Sequence, residues 1–374
     1  MPNQEYTARN ELFEPSRFQR AVDLLTKWTS GPEPLIPSAG LLAGRGGKII
    51  EPLYFGKQGP EPAAEPIRRD GLFLLASLTK PVTYLAGLQL VEQGLLNLHD
   101  PVVKYLPEFA PHHKEEIRVL HLFTHTSGLP DSLPDNAELR MKHSPMKAFI
   151  EGTFNTMPLF PAGTKLSYQS MGTLMVAELV QRLTGQTIHD YLKKEIFEPL
   201  GMTSSGLGSR GIDRARIIRV ETTPEQQGTD WGWNSKYWQE FGAPWGGMFS
   251  TPEDYAKICQ MLLNGGSLGD ARILSPAAVK TMTTNRLDDL ADLPEATRRT
   301  EGWGLGWRMN QPGSNDPFGN FLSPRAFGHW GATGTMVWID PDLDGFFMLF
   351  TSAILSRSKP YLIQISNIVT SAFR

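Results

Sequence analysis

The sequence predicts an α+β fold in which both ends of the chain join in one antiparallel sheet covered by helices. Three observations support this prediction. Strand-like runs lie near the start and in the last third of the chain, helices dominate the middle, and turn signals pair the strands into hairpins. We expect one domain over residues 1–374, with a sheet subdomain at about 1–76 and 246–374 and an inserted, mainly helical subdomain at about 77–245.

The apolar pattern predicts the individual elements in order. Apolar side chains recur on one face from residue 15 to 28, which indicates a helix. "LIPSAGLLAG" and "KIIEPLYFGK" predict a hairpin that turns at residues 45–47, and "LFLLASL" leads into a helix capped by Gly94. Further helices are predicted at 172–183, 252–263, 276–282 and "YLIQISNIVTSAF". "TGTMVWID" and "FFMLFTSAI" form the closing hairpin, whereas "GTDWGWNSKYWQEFGAPWGG" is predicted to be a loop.

Composition argues against several classes of protein. A hydrophobic content of 40% is enough for a large core, and a net charge of -3 without a basic cluster argues against nucleic-acid binding. No apolar run reaches the roughly 18 residues of a membrane span, and the N-terminal segment is polar rather than signal-like. We therefore expect a cytoplasmic protein. Cys259, the single cysteine, excludes an internal disulfide and fits a buried helix face.

Ser77 and Lys80 form an S-x-x-K pattern at the start of a predicted helix. Side chains three residues apart share a helix face, so the lysine amine could reach the serine hydroxyl. Pro81 is tolerated only in a first helical turn, which places Ser77 at the helix N-terminus, where the macrodipole favours negative charge on a nucleophile. Taken alone, the pattern also fits a capping serine followed by a solvated lysine.

Tyr168 is the second candidate, in Tyr-Gln-Ser before another predicted helix. A tyrosine hydroxyl has a pKa near 10 and is a poor base at neutral pH. Beside a lysine cation its phenolate is favoured, and the two groups can share one proton. In isolation, a buried tyrosine bonded to the backbone explains the segment as well.

The third candidate segment is "HWGA" at residues 329–332, which opens the last hairpin. Gly331 allows the backbone to approach a ligand closely, and the strand edge could offer an N–H group to an oxyanion. A tight strand start with a surface histidine is the structural alternative.

Six longer segments accompany these motifs in one order. They are "LFLLASLTKPVTYLAGLQLVEQGLLNLHDPV", "LHLFTHTSGLP", "FPAGTKLSYQSMGTLMVAELVQRLTG", "IFEPLGMTSS", "GGMFSTPEDYAKICQMLLNGG" and "FGHWGATGTMVWIDPDLDGFFMLF". From about residue 17 to the last helix, the chain resembles the class C β-lactamase and penicillin-binding-protein-like serine hydrolases, nearest the family VIII carboxylesterase branch. The resemblance implies a β-lactamase/transpeptidase-like fold with the active site between the sheet and the helical subdomain.

The resemblance also implies a role for each matching residue. Ser77 would be the acylated nucleophile, and Lys80 and Tyr168 would handle its proton. The backbone N–H groups of Ser77 and Ala332 would form the oxyanion hole. No cofactor or metal is implied, and the partner would be a small-molecule ester or amide rather than a nucleic acid or a membrane.

Two departures from the family pattern bear on the substrate. Ser170 stands where β-lactamases usually carry an asparagine that helps to orient an acylamino side chain. His329 stands where they usually carry a lysine, and a histidine with a pKa near 6.5 is mostly neutral at pH 7. Recognition of a substrate carboxylate should therefore weaken. Together with Trp330 and Gly331, these two residues are the candidates for substrate binding.

The expected protein is a serine hydrolase that forms an acyl-enzyme on Ser77, foremost a carboxylesterase for short-chain esters. A weak β-lactamase, a D-amino-acid peptidase or an acyltransferase would use the same mechanism. A non-catalytic binding or scaffold protein of the same fold is the alternative of another class, and the intact Ser77, Lys80 and Tyr168 argue against it. The natural substrate and the oligomeric state stay open.

Three other patterns carry weaker hypotheses. Ser267 lies in a G-x-S-x-G pattern, but a nucleophile elbow needs a helix to follow it, and none is predicted there. His121 and His125 have the spacing of a metal pair without the glutamate of H-E-x-x-H. Four tryptophans could pack in the core or form an aromatic wall for an acyl group: Trp231, Trp233, Trp238 and Trp245.

Overall fold

Both ends of the chain join in one antiparallel sheet, as the sequence predicts. The structure is a computed structural model that describes residues 12–311 and 316–374, so residues 1–11 of the predicted sheet subdomain lie outside the described residues. The strands are β1 Ser38–Arg45, β2 Lys48–Ile49, β3 Leu53–Gly56, β4 Phe73–Leu74, β5 Gly206–Leu207, β6 Met248–Ser250, β7 Ser267–Leu268, β8 Ala271–Arg272, β9 Arg308–Met309, β10 Phe327–Gly331, β11 Thr335–Asp340 and β12 Gly345–Thr351.

The principal sheet has the order β2-β1-β12-β11-β10-β9, and β3 also pairs with β1; together these are seven strands within the described chain. The central pairing joins the first strand to the last, with Ala39 opposite Thr351 and Arg45 opposite Gly345. The predicted closing hairpin is β11 and β12, in which Asp340 pairs with Gly345. A smaller sheet joins β4, β6 and β5.

Helices occupy the middle of the chain and the flanks of the sheet. Their bounds are α1 Pro15–Trp28, α2 Thr79–Glu92, α3 Val119–Phe123, α4 Asn136–Met141, α5 Met146–Asn155, α6 Met171–Thr184, α7 Ile188–Leu192, α8 Lys236–Phe241, α9 Pro252–Leu263, α10 Pro276–Met282, α11 Glu295–Thr300 and α12 Leu355–Ala372. The helices predicted at residues 15–28, 252–263 and 276–282 are confirmed by α1, α9 and α10. The division into two subdomains stays a prediction.

Two expectations about elements are wrong. The Trp-rich stretch contains the short helix α8, because the Ser235 hydroxyl accepts the N–H of Trp238 as an N-cap (3.1 Å) and Gly242 ends the helix at a φ of +59°. Six residues are too few to show a helical period. The last helix begins at Leu355 rather than at Tyr361. The sequence does not reveal its first turn, because the residues there are mostly polar and form no apolar pattern.

Helices cover both faces of the sheet, which explains why its central strands are buried along their length. Leu41 of β1 packs with α1 and α12, whereas its neighbour Leu42 packs on the opposite face with α9. Leu349 and Met348 of β12 alternate in the same way, since successive strand side chains point to opposite faces. Cys259 of α9 is 0% exposed, which confirms its predicted place in the core.

Candidate active site

Ser77 lies on a short 3₁₀ turn, Ala76–Leu78, that leads directly into α2. The preceding residue, Ala76, has a φ of +47°, in the left-handed region that residues with side chains rarely adopt. Such a conformation persists only where the surroundings impose it, and it is frequent at active sites. The turn therefore presents Ser77 at the start of α2 in a geometry that local sequence preference does not favour.

Hydrogen bonds from distant segments impose this turn. After β10, the hydroxyl of Thr333 donates to the carbonyl of Leu74 (2.7 Å), and the hydroxyl of Thr335 donates to the carbonyl of Leu75 (2.8 Å). On the other side, the phenol of Tyr255 in α9 donates to the last carbonyl of the turn (3.1 Å). These bonds satisfy buried backbone oxygens, so the serine turn is held by the sheet and by the helix α9 that packs on it.

Gly331 lies where β10 passes the Ser77 turn, and a side chain does not fit there. A Cβ atom on Gly331 would lie 2.3 Å from the carbonyl oxygen of Leu75 and 2.4 Å from Oγ1 of Thr335. The glycine thus permits β10 to approach the backbone before Ser77 closely, whereas the predicted close approach to a ligand stays a prediction. The next residue, Ala332, lines the same cavity as Ser77. The Ala332 N–H as an oxyanion donor stays a prediction.

Lys80 lies beneath Ser77 with its Nζ atom 3.2 Å from the serine Oγ atom. The same amine donates to the carbonyl oxygen of Trp245 at 3.1 Å. Lys80 is 1% exposed, and burial lowers the pKa of its amine to about 8, although the charge of Asp131 acts in the opposite direction. Roughly a tenth of Lys80 is therefore neutral at pH 7, and a neutral amine can accept the serine proton.

Tyr168 completes the group. The Lys80 Nζ atom lies 4.6 Å from the centroid of the Tyr168 ring, and the ring also packs at 4.7 Å against His125. Although part of Tyr168 lines the cavity, burial raises its pKa well above 10, and hydrogen bonding with Ser77 opposes that rise only in part. The expectation of a favoured phenolate is therefore wrong, because the loss of water around the buried hydroxyl dominates its pKa. Tyr168 is a hydroxyl that stays protonated.

His329 lies beside this group but does not line the cavity. It is 1% exposed rather than on the surface, and its ring centroid is 6.0 Å from that of Tyr168. Burial, aided by the charge of Lys80, lowers the pKa of His329 to about 3, so the ring is neutral at all physiological pH values. Its Nδ1 atom accepts the N–H of Trp330 at 2.9 Å. A fixed cation is thus missing at this position.

Ser170 acts on a neighbour instead of facing the cavity. Its hydroxyl donates to Oδ1 of Asp131 at 2.6 Å, and Asp131, not Ser170, is a wall residue. The direct substrate contact expected of Ser170 therefore stays a prediction, and its observed contact orients a carboxylate at the cavity edge.

The cavity at Ser77 has a volume of about 660 Å³. Four of the predicted site residues form part of its wall, whereas Lys80 lies beneath it and Ser170, His329 and Gly331 lie behind it. This size suits a small ligand, because ligand pockets commonly measure about 300–1,000 Å³. The wall comprises Ser77, Asp131, Leu166, Tyr168, Thr300, Glu301, Trp303, Arg308, Asp316, Trp330, Ala332 and Leu355.

Sequence reasoning missed a charged cluster on this wall. Arg308 in β9 has a side chain only 7% exposed, and its Nε atom bonds Oδ2 of Asp316 at 2.8 Å while Nη1 bonds Glu301. Asp131 adds a third carboxylate to the same wall. The described wall therefore carries three carboxylates and one guanidinium, and that guanidinium is already paired twice. The glycine- and tryptophan-rich "GWGLGW" at 302–307 was the one local signal of this region.

A family model described as Beta-lactamase matches residues 20–359. The chain belongs to the beta-lactamase family. It is a serine hydrolase of that family, which confirms the class expected from its motifs. A protein of Escherichia coli (strain K12), provisionally named a D-alanyl-D-alanine carboxypeptidase, is 30% identical over 298 residues, covering 72% of this chain and 66% of that protein. The chain thus spans just under two thirds of that relative.

Solved structures agree on the fold. A penicillin-binding protein homologue from Caulobacter crescentus superposes with a TM-score of 0.74 at 23% identity, covering 95% of this chain and 98% of that one. A family VIII carboxylesterase superposes with a TM-score of 0.74 at 20% identity, covering 97% of this chain and 99% of that one. The β-lactamase/transpeptidase-like fold is therefore confirmed.

The weaker sequence patterns supply no residue to the wall of this cavity. Ser267 lies in the hairpin of β7 and β8, which is not the strand–turn–helix of a nucleophile elbow. His121 and His125 each accept a backbone N–H through Nδ1, at 3.1 Å and 3.2 Å. Residues 12–311 and 316–374 contain no group of three or more side chains placed to hold a metal ion, and none of their helices is long and apolar enough to cross a membrane.

The Trp-rich stretch borders a different cavity. That cavity is larger, about 820 Å³, and is lined mainly by residues 220–240 together with His143 and Glu61. None of the four tryptophans lines the cavity at Ser77; Trp238 and Trp245 are buried in the core. Core packing thus accounts for two of them, and Trp330 is the tryptophan of the last motif that reaches the Ser77 cavity.

Proposed function

We propose that this protein is a carboxylesterase for short-chain esters that works through an acyl-enzyme on Ser77. One observation carries the proposal. The Lys80 amine is within hydrogen-bond distance of the Ser77 hydroxyl (3.2 Å), is buried, and has a pKa lowered to about 8. A buried amine that is easily deprotonated, beside an alcohol that opens on a cavity, is an arrangement that generates a nucleophile.

In the proposed acylation step, neutral Lys80 accepts the proton of Ser77 while the serine oxygen attacks the ester carbonyl carbon. The carbonyl oxygen becomes an oxyanion, which the N–H groups of Ser77 and Ala332 would stabilise. As the tetrahedral intermediate collapses, the bond to the alcohol breaks and the alkoxide takes a proton. Tyr168 is suited to deliver that proton, because its hydroxyl stays protonated. The Lys80 ammonium then gives its own proton to Tyr168, which restores the hydroxyl.

Deacylation reverses these roles. A water molecule attacks the acyl carbon and gives its proton, through the Tyr168 hydroxyl, to neutral Lys80. The acid leaves and Ser77 regains a proton from the ammonium. Because its pKa is raised, Tyr168 is not ionised in the resting enzyme. It therefore relays a proton from water to the amine instead of acting as a phenolate base.

The charges of the cavity favour an ester over a peptide with a free carboxylate. The name of the Escherichia coli relative suggests the second substrate, and a carboxypeptidase must hold the carboxylate of its substrate. Here His329 is neutral, and Arg308 is engaged by Glu301 and Asp316. An anionic substrate would therefore face a net negative wall without a free cation among the described wall residues.

The shape of the wall supports a short acyl group. Trp303 and Trp330 supply aromatic surface, and Leu166 and Leu355 supply aliphatic surface, around a volume of about 660 Å³. Apolar contacts of this kind bind a small acyl chain without requiring charge.

A weak β-lactamase, a D-amino-acid peptidase and an acyltransferase share the mechanism and remain the alternatives in the assays. The cytoplasmic location stays a prediction from the polar N-terminal segment.

The decisive experiment is intact-mass detection of an acyl adduct on Ser77. The wild type and Ser77→Ala are mixed with p-nitrophenyl butyrate, nitrocefin and a D-alanyl-D-alanine peptide, and peptide mapping locates the adduct. We expect a butyryl adduct on the wild type only and faster turnover of the ester than of the other two.

Ser267→Ala is the matched control, because Ser267 lies in the other serine motif and should keep full acylation. A fluorophosphonate probe that labels Ser77→Ala as strongly as the wild type, or labels neither, would favour the non-catalytic alternative. Faster turnover of nitrocefin or peptide would move the assignment to that substrate class.

A further inference from the structure

A second histidine, His125, packs against the catalytic group without taking part in the proposed proton transfers. It is 0% exposed and has a φ of +59°. Left-handed backbone is unfavourable for a residue with a side chain, so its surroundings must impose the conformation. The imidazole ring lies 4.7 Å from the Tyr168 ring and 4.4 Å, edge-on, from Trp303.

His125 holds the chain on both sides of Tyr168. Its carbonyl oxygen accepts the N–H of Ser167 at 2.9 Å, and its Nδ1 atom accepts the N–H of Gln169 at 3.2 Å. The residues before and after the tyrosine are thus both bonded to one histidine. Because Tyr168 lies between these two bonds, its backbone has little freedom to rotate the ring away from Lys80.

The hydrogen-bonding pattern also determines the state of the ring. Nδ1 accepts an N–H, so the neutral imidazole carries its proton on Nε2. Nε2 is buried and has no hydrogen-bond partner among the described residues. Burial is the largest cause that lowers the pKa of His125 well below its usual value, and the charge of Lys80 adds to it. The neutral His329 and the phenols of Tyr168 and Tyr84 are the other titratable groups near the ring. A neutral ring therefore packs there without adding positive charge beside the Lys80 amine.

We propose that His125 is a positioning residue, which sets the Tyr168 hydroxyl relative to Ser77 and Lys80 by bonding to the residues on either side of it. This inference rests on the proposed function, since it assigns a role in the same reaction. Displacement of a reacting group by about 1 Å can reduce a rate by about 100-fold. Loss of the histidine should therefore lower kcat and leave substrate binding nearly unchanged.

Two substitutions separate the hydrogen bond from the ring. His125→Gly removes the side chain without strain, because glycine accepts positive φ. His125→Asn also tolerates this φ, and its Oδ1 atom takes the place of Nδ1 as the acceptor for Gln169. We expect His125→Gly to lower kcat for p-nitrophenyl butyrate by about 10- to 100-fold with KM within about twofold, and His125→Asn to recover at least about tenfold of that loss.

A matched control lies four residues earlier in the chain. His121 is also buried, and its Nδ1 atom also accepts a backbone N–H, from Arg118 at 3.1 Å, but its side chain does not bond to the segment that carries Tyr168. His121→Gly should change stability and leave kcat within about twofold. Equal kcat losses in the His121 and His125 variants would show that the effect is structural and would overturn the proposal.

A second measurement does not depend on activity. Hydrogen–deuterium exchange followed by mass spectrometry reports the amide of Gln169 in peptides that span residues 163–171. We expect faster exchange there in His125→Gly, and near wild-type exchange in His125→Asn and His121→Gly. If the exchange follows this pattern but the wild type forms no acyl-enzyme, the proposed function fails, whereas the bond between His125 and the segment that carries Tyr168 is still supported. Unchanged exchange and unchanged kcat in folded His125→Gly would refute the positioning role alone.

Discussion

The protonation of Lys80 should control the rate at which Ser77 is acylated. A neutral amine is required to accept the serine proton, and burial lowers the pKa of this amine to about 8 in the folded protein. The active, neutral form therefore increases as pH rises through 8 and is lost as pH falls below it. Tyr168 does not reverse this trend within the assay range, because its pKa lies well above 10.

The expected size of the effect follows from this pKa. With a pKa of about 8, the neutral fraction is about 1% at pH 6, about 9% at pH 7, about 50% at pH 8 and about 91% at pH 9. The acylation rate should therefore rise roughly tenfold from pH 6 to 7, about fivefold from pH 7 to 8, and less than about twofold from pH 8 to 9. Removal of the amine by Lys80→Met should lower the rate by about 10²- to 10⁴-fold.

The assay is rapid mixing with p-nitrophenyl butyrate, in which the first turnover releases p-nitrophenol together with the acyl-enzyme. Samples quenched at early times are weighed by mass spectrometry to confirm the adduct. Spontaneous hydrolysis, which grows with pH, is subtracted by parallel measurements on Ser77→Ala. Circular dichroism at each pH confirms that the protein is folded.

Lys114 provides the matched control, because it is the other buried lysine whose pKa burial lowers to about 8. Its amine donates to the carbonyl oxygens of Thr153, Phe154 and Thr156 at the end of α5, at 3.2, 2.6 and 2.9 Å. Lys114→Met should lower stability by at least about 1–3 kcal/mol through unpaired carbonyls and keep the midpoint near pH 8. A rate that is flat from pH 6 to 9, or a midpoint that moves in Lys114→Met and not in Lys80→Met, would refute the reasoning.

Two further predictions concern the strand and the wall beside Ser77. Gly331→Ala should lower the free energy of unfolding by about 1–3 kcal/mol, because the added Cβ atom would lie 2.3 Å from the Leu75 carbonyl oxygen. The acylation rate should fall as well, because the Ser77 turn must shift. A denaturation midpoint and an acylation rate equal to those of the wild type would contradict this. Phenyl acetate should have a kcat/KM at least about fivefold above that of the anionic ester 4-acetoxybenzoate, because one repulsive interaction with the negative wall costs about 1 kcal/mol. Asp131→Asn or added salt should reduce the difference between the two esters. Equal kcat/KM values for both esters in the wild type would show that the wall charge is screened.

Local features of the sequence were sufficient for six of the twelve α-helices in the described residues and for the closing hairpin. The helix at residues 252–263 was predictable because its polar start, apolar face and terminal asparagine and glycines all lie within one short stretch. The spacing of Ser77 and Lys80 likewise depends only on the geometry of a helical turn, and the structure places their side chains 3.2 Å apart. Short helix α8 was missed because six residues carry too little pattern.

The chemistry of the site was less accessible to sequence reasoning. Tyr168 was expected beside Lys80, and it lies there, but the direction of its pKa was wrong, since the spacing of residues does not reveal how completely a group loses its water. Arg308 and Asp131 were missed because neither belongs to the motifs, and they meet on one cavity wall only after residues far apart in the chain have folded together.

By itself, the sequence determined the family, the placement of strands at both ends with helices in the middle, and the identity of the serine, lysine and tyrosine that the proposal places in the reaction. These properties depend on short-range periodicity and on motif spacing, which a linear chain displays directly. Tertiary structure alone decided that Lys80 has a pKa of about 8, that His329 is neutral, and that the wall carries a net negative charge. Those properties depend on burial and on distances between remote segments, and both arise only when the chain is folded.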